Sequence, residues 1–276
     1  MSSDEVSTFN KDNLDTYLKE LGKLFRKQNG KSATAEIVLV GGAAILVNYG
    51  FRDMTTDIDT IIHASSSMKD AINQVGDQYN LPNGWLNADF MRTASYTSKL
   101  NEFSQYYKTF SGVLQVRSIS AEYLIAMKLK SGRKYKNDLS DIIGILAEHE
   151  KRGQAISWER VDQAVVNLYQ SWDGIHEEVK SFIQNAFEMS NYGEVFKQVQ
   201  EQEHLSRDML VEFQQEYPQT VTESNVDSIL SMLTSKKERE NLKNQEKHTT
   251  AKANVERMLN LDKEEPTTEQ NKEQAK

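Results

Sequence analysis

The stretch that most constrains the fold is residues 36–63, EIVLVGGAAILVNYGFRDMTTDIDTIIH. The apolar, β-branched run from Ile37 to Val40 predicts a buried strand, because it is too short for a helix. Gly41 and Gly42 follow it, and the apolar segment 43–49 predicts a short helix. Two glycines between a strand and a helix allow a sharp turn and let an anion approach the backbone amides. The sequence therefore predicts a strand, a turn that suits a phosphate, and a helix.

A second predicted strand, residues 57–62, carries two acids. Asp57 and Asp59 alternate with Ile58, and side chains two apart on a strand point to the same face. Both carboxylates are therefore expected to project together while Ile58 enters the core. Two hard oxygen ligands at one place suit Mg²⁺, which takes one or two carboxylates together with substrate phosphates.

The order strand, Gly-Gly, helix and Asp-Ile-Asp strand resembles the nucleotidyltransferase superfamily of the DNA polymerase β type. The flanking residues, and the Trp85-Leu86-Asn87 segment, resemble its bacterial branch of DUF6036 proteins and AbiEii-type toxins. The resemblance implies an α/β fold with a twisted mixed sheet flanked by helices, followed by an all-helical C-terminal region. It also implies that the Gly41-Gly42 turn holds a triphosphate and that the paired aspartates bind the metal.

Further candidate residues lie on the helices that follow. The resemblance extends to Lys128 and Asp138, which match a lysine and an aspartate motif of the AbiEii-like branch. Arg52 and Lys128 are candidate phosphate contacts, since both carry a positive charge. The alternative for Lys128 and Asp138 is a buried structural ion pair. Asn137 is expected to cap the helix that begins with Asp138.

A third carboxylate, common on a later strand of the superfamily, is not evident. The strand predicted at 113–119 carries Gln115 where an acid would be expected. Asp89 is the candidate substitute if its loop folds back, and a solvated loop acid is the alternative. Without a third acid, the base that would deprotonate an acceptor hydroxyl is missing or supplied differently.

Composition excludes several classes of protein. The chain has no cysteine, which excludes disulfides and thiol catalysis. The net charge of −8 excludes a generally basic nucleic-acid surface, although the segment 117–136 is locally basic and suits phosphates. The five histidines are scattered without metal-type pairing. No apolar run reaches the length of a membrane span, so a cytoplasmic protein is expected.

Three regions are predicted along the chain. Residues 1–150 form a nucleotidyltransferase-like domain, 151–235 a helical domain, and 236–276 a polar tail that is largely disordered or loosely helical. Apolar periodicity predicts helices at 10–29, 66–79, 175–189, 194–217 and 225–234, among others.

The leading hypothesis is a Mg²⁺-dependent nucleotidyltransferase that moves a nucleoside monophosphate from an NTP to a hydroxyl group of a tRNA-like RNA or of a protein. The AbiEii resemblance suggests a toxin of a toxin-antitoxin or phage-defence pair, with an antitoxin protein as partner. The alternatives are a catalytically inactive nucleotide-binding or protein-interaction module with the same fold, and an antitoxin or scaffold whose C-terminal helices do the work.

Overall fold

The computed structural model describes residues 8–239, apart from positions 190 and 223. The chain divides into two compact units, Met1–Leu205 and Ser206–Lys276. The first unit contains a five-stranded sheet and the helices around it. The described part of the second unit consists of helical segments and the turn between them, with residues 226–239 helical.

The sheet is mixed, and its central strand leads into the glycine turn. Its strands are β1 (Ala35–Leu39), β2 (Ile58–His63), β3 (Leu86–Asn87), β4 (Ser104–Phe110) and β5 (Leu114–Ile119). They lie in the order β3-β2-β1-β5-β4. β1 is antiparallel to β2 and parallel to β5. β3 runs parallel to β2, and β4 runs antiparallel to β5. This arrangement, with the helices that follow it, confirms the predicted fold class.

The helices lie close to the predicted segments. They are α1 (Lys11–Asn29), α2 (Gly41–Asn48), α3 (Ser67–Tyr79), α4 (Ala121–Ser131), α5 (Asp138–Lys151), α6 (Trp158–Tyr169), α7 (Glu177–Met189) and α8 (Tyr192–Glu216). Their ends differ from the predicted ends by one or two residues in most cases. Apolar periodicity locates the middle of a helix, whereas capping contacts decide where it stops.

The packing around β1 and β2 positions the site. α1 turns Leu14, Leu18, Leu21 and Phe25 into the core and packs against α3 and β4. α2 is apolar all round, as expected for a buried helix, and it packs against β2, β5 and α4. The strands and the first turn of α2 are therefore held from several sides, which fixes the backbone that carries the glycines and the paired acids.

The prediction that Asn137 caps α5 is wrong. Asn137 occupies the N-cap position, but its side chain makes no capping hydrogen bond. The acceptor for the first turn comes instead from Glu203 of α8, whose carboxylate binds the backbone N–H groups of Leu139 and Ser140. A local sequence rule cannot identify a cap that lies more than sixty residues away along the chain.

The domain division predicted at residues 150 and 235 stays a prediction. Within the first unit, α6 packs against α4, so the segment just after residue 150 contributes to the same compact body. Most of the predicted polar tail, from 240 to 276, lies outside the described residues. Within the described part of the chain, no helix combines the length and the apolar composition that a bilayer crossing requires.

Candidate functional site

The glycine turn connects β1 directly to α2, which begins at Gly41. Gly41 has a φ of +53°, a left-handed conformation that favours glycine. A Cβ at Gly41 would lie 3.6 Å from Oδ2 of Asp59. At Gly42, a Cβ would lie 2.7 Å from the Thr55 hydroxyl oxygen and 3.2 Å from Nη2 of Arg52. Because Gly41 has no side chain, the Asp59 carboxylate can approach it. In the same way, Gly42 leaves room for the Thr55 hydroxyl and the Arg52 guanidinium.

The paired acids lie next to this turn. Asp57 immediately precedes β2, and Asp59 is the second residue of the strand. The N–H of Val40, the last residue before the glycines, donates to the Asp59 carbonyl oxygen at 3.1 Å. The Thr55 hydroxyl donates to the Asp57 carbonyl oxygen at 3.2 Å and lies 3.5 Å from Oδ1 of Asp57. Asp59 thus approaches the turn directly, and Asp57 approaches it through Thr55.

The electrostatic environment of Asp59 suits a cation. Burial, followed by the charge of Asp57, raises the pKa of Asp59 from the usual 3.8 to about 6. The positive charges of Arg133 and Lys128 lower the pKa of Asp59, and the negative charge of Asp89 raises it by a smaller amount. A half-buried carboxylate beside a second carboxylate is destabilised when ionised, and a nearby positive charge relieves that cost. The donor set is two carboxylates, which are hard oxygen ligands of the kind that Mg²⁺ binds.

Lys128 of α4 lies between two carboxylates of α5. Its side chain is buried, with the residue 7% exposed. Lys128 Nζ lies 2.7 Å from Oδ1 of Asp138 and 2.8 Å from Oδ2 of Asp141. Burial lowers the pKa of Lys128, but the two carboxylates raise it by more, so the lysine is held in its charged form. The ion pair that the sequence offered as an alternative is therefore formed, with a second acid added to it.

Asp138 is enclosed by positive charge. Its Oδ2 accepts hydrogen bonds from the Arg133 backbone N–H at 3.2 Å and from Arg133 Nε at 2.8 Å. Its Oδ1 accepts from Lys128 Nζ at 2.7 Å and from Arg133 Nη2 at 3.2 Å. Burial acts to raise the pKa of Asp138, but Lys128 and Arg133 hold it well below its usual range. A carboxylate so occupied is suited to orienting two cations rather than to accepting a proton.

Arg52 connects this ion network to the glycine turn. Arg52 Nη1 donates to Oδ2 of Asp141 at 2.7 Å, while its guanidinium lies against Gly42. The contacts therefore run from the turn, through Arg52 and Asp141, to Lys128. Seven residues that the sequence singled out for the site lie along this path or beside the turn: Gly41, Gly42, Arg52, Asp57, Asp59, Lys128 and Asp138. Their catalytic and binding roles stay predictions.

Among the described residues, no third acid joins Asp57 and Asp59, the two acids that are predicted to bind a metal. Gln115 lies on β5, paired in register with Glu36 of β1. Asp89 is exposed, and its Oδ1 lies 3.5 Å from Arg92 Nη1. Across the residues that the structure describes, no group of three or more histidines, cysteines or acids could hold a metal ion. Asp57 and Asp59 therefore remain the two predicted metal ligands.

Four residues of this cluster escaped the sequence analysis. Asp141 had a signal, because it follows Asp138 by three residues and so lies on the same helix face. Arg133 lay inside the basic segment but carried no motif of its own. Thr55 and Glu203 had no local signal, since each acquires its neighbours only when distant elements pack.

Similarity to known proteins is found at the level of the family. No curated protein matches the chain closely enough to count as a relative. A solved structure that is similar to it is an antigenic nucleotidyltransferase-like protein from Paracoccidioides brasiliensis, at 15% identity over 64% of this chain and 95% of that one, with a TM-score of 0.34. The family model described as nucleotidyltransferase of unknown function (DUF6036) matches residues 16–197. This match spans well over half of the 276 residues, and the protein belongs to the DUF6036 family of nucleotidyltransferase-like proteins.

Proposed function

We propose that the protein is a Mg²⁺-dependent nucleotidyltransferase. It would move a nucleoside monophosphate from an NTP to a hydroxyl group of a tRNA-like RNA or of a protein. The observation that carries the proposal is the position of Asp59, whose Oδ2 lies 3.6 Å from the Cβ position of Gly41. A carboxylate therefore lies against a backbone turn of the kind that suits phosphate, which supports the proposal. A triphosphate and the metal that accompanies it need these two features side by side.

The phosphates of the NTP would be bound at the start of α2. The first N–H groups of a helix lack intrahelical acceptors and point outward, and the helix dipole favours an anion there. Gly41 and Gly42 carry no side chain that would block this approach. Arg52 lies against Gly42, and Lys128 lies beyond it along the ion network. Both cations are candidates for contacts with the triphosphate.

Asp57 and Asp59 would hold the metal. The residues fit this role, because Asp59 is half-buried next to a second carboxylate and its pKa is raised to about 6. At pH 7 Asp59 is still mostly ionised, so it can bind a cation without first losing a proton. When bound, Mg²⁺ offsets negative charge on the phosphoryl group that is transferred. Charge stabilisation and positioning of the phosphates supply much of the catalysis in phosphoryl transfer.

In the proposed reaction, the acceptor hydroxyl oxygen forms a bond to the α-phosphorus of the NTP. The bond between the α-phosphorus and the pyrophosphate oxygen breaks, pyrophosphate leaves, and the hydroxyl proton is released to solvent. The resemblance to AbiEii-type toxins supports a further step, that the protein is the toxin of a toxin-antitoxin or phage-defence pair. An antitoxin protein would then be its partner, and the cytoplasm its place of action.

A second candidate is a nucleotide-binding or protein-interaction module without catalytic activity. The observation that favours it is the donor set, which in the described residues stops at two carboxylates. Lys128 is also occupied by two acids, which is the arrangement expected of a structural ion pair.

A transfer assay separates the two candidates. The full chain is incubated with each α-³²P-labelled NTP, Mg²⁺ and total RNA, and with protein fractions as alternative acceptors. Label should appear on an acceptor, and both Asp57→Ala and Asp59→Ala should abolish it. The control is Asp53→Ala, which removes an exposed acid from the same loop and should leave transfer unchanged. Mg²⁺-dependent NTP binding without transfer to any acceptor would overturn the enzyme and support the binding module.

A further inference from the structure

The first turn of α5 is held by a carboxylate from another helix. Glu203 of α8 is 2% exposed. Its Oε1 accepts hydrogen bonds from the backbone N–H of Leu139 at 2.8 Å and of Ser140 at 3.3 Å. Its Oε2 accepts a hydrogen bond from the Ser140 hydroxyl at 2.5 Å. One buried side chain therefore serves three donors of a single helical turn.

These donors would otherwise have no acceptor within α5. The first N–H groups of a helix lack intrahelical partners, and a side chain at the N-cap usually accepts one of them. Asn137 stands at the N-cap of α5 without making this bond. The Asp141 N–H, by contrast, donates to the Asn137 carbonyl oxygen at 3.0 Å. Glu203 thus takes the place of the local cap for the second and third residues of the helix.

The turn that Glu203 holds also carries the acids of the ion network. Asp138 and Asp141 stand immediately before and after the two residues whose N–H groups Glu203 binds. Through these acids the turn sets the positions of Lys128 and Arg52. A small rotation of the first turn of α5 would move both carboxylates and, with them, Arg52 beside the glycine turn and Lys128 in the ion network.

We propose that Glu203 is a positioning residue for the nucleotide site: it caps α5 from α8 and thereby fixes the acids that aim Lys128 and Arg52 at the phosphates. This inference rests on the proposed function, because it assumes that the phosphates of an NTP lie at the glycine turn. It goes beyond family membership, since Glu203 lies outside the residues 16–197 that the family model matches.

The chemistry of the side chain supports this role. Burial raises the pKa of Glu203 to about 7, against the effect of its three hydrogen bonds. In either protonation state, Oε1 remains an acceptor for the two backbone N–H groups. Burial disfavours the ionised form of Glu203, so the contribution of this side chain comes from the hydrogen bonds that it accepts. A glutamine keeps one acceptor oxygen at the same reach, a methionine keeps the length without an acceptor, and an aspartate keeps the charge but is one methylene shorter.

These differences define the test. The full-length variants Glu203→Met, Glu203→Asp and Glu203→Gln are compared with wild type and with Glu201→Met, which changes an exposed acid on the same helix. One measurement is hydrogen exchange of the amides of Leu139 and Ser140, which reports on the cap directly. The other is the Kd of each of the four NTPs with Mg²⁺, measured by calorimetry.

For Glu203→Met and Glu203→Asp we expect faster exchange at both amides and a Kd raised about tenfold, because a buried acceptor is lost. Glu203→Gln should bind more tightly than either of them, and Glu201→Met should match wild type. If Glu203→Met does not fold, Glu203→Asp carries the same comparison. A folded Glu203→Met or Glu203→Asp protein with wild-type Kd overturns the positioning role alone. A wild-type protein that binds none of the NTPs overturns the proposed function, and the positioning role with it.

Discussion

Replacing Asp59 by asparagine should stabilise the folded protein and, at the same time, abolish the proposed binding of metal and NTP. In the folded protein the pKa of Asp59 is raised from the usual 3.8 to about 6. An acid whose pKa is raised on folding favours the folded state when protonated and opposes it when ionised. The cost is therefore absent below pH 3.8, grows as the pH rises, and is complete above about pH 6. Asparagine has nearly the same shape and no charge, so Asp59→Asn removes this cost.

The size of the effect follows from the pKa. The difference between 3.8 and about 6 corresponds to about 3 kcal/mol of unfolding free energy at neutral pH. Because the Asp59 side chain is only half-buried, solvent screening reduces the expected gain to about 1–2 kcal/mol. For a protein of this size, that gain should raise the Tm by about 2–8 °C.

Thermal unfolding by calorimetry at pH 7.5 and pH 4.5, with and without Mg²⁺ and NTP, tests this reasoning. Without metal, Asp59→Asn should be more stable than wild type at pH 7.5, and most of the difference should vanish at pH 4.5. With metal and NTP at pH 7.5, wild type should gain stability by ligand binding and the variant should not. Asp77→Asn, an exposed acid on α3, should change the Tm little at either pH. An Asp59→Asn protein that is less stable than wild type at pH 7.5, or that responds equally to Mg²⁺, would refute the argument.

Other substitutions test the turn and the ion network. Gly42→Ala would place a methyl group 2.7 Å from the Thr55 hydroxyl, so it should weaken NTP binding about tenfold by overpacking the turn. Gly50→Ala, which meets nothing within 4 Å, should bind like wild type in the same calorimetric titration. Lys128→Met would leave two buried carboxylates without their shared cation, and we expect a loss of about 3–5 kcal/mol in urea denaturation. A Lys128→Met protein as stable as wild type would contradict the ion network described above.

Local sequence was sufficient for the elements that carry the site. The apolar run from Ile37 to Val40, rich in β-branched residues, predicted the strand. The two glycines that follow it predicted the turn. The alternation of Asp57 and Asp59 with Ile58 predicted both acids on one strand. The structure begins that strand at Ile58, with Asp57 immediately before it, and brings both acids close to the turn. These features are local, because backbone sterics and side-chain alternation act over a few residues.

The ion network depended instead on tertiary packing. The sequence left open whether Lys128 and Asp138 pair. The spacing of Asp138 and Asp141 placed both acids on one helix face, but the sequence gave no sign that Arg52 would reach Asp141. Each of these contacts joins segments that approach only after α2, α4 and α5 pack together. The partners of a buried charge are decided by which elements meet, and spacing along the chain does not encode that.

The sequence by itself determined the glycine turn and the paired acids, whereas the mixed sheet was expected only from the family resemblance. Only the tertiary structure decided that Lys128 is shared by two acids and that Glu203, rather than Asn137, holds the first turn of α5. The physical reason is that a buried donor or charge must find a partner. Which residue becomes that partner depends on the helix that packs beside it.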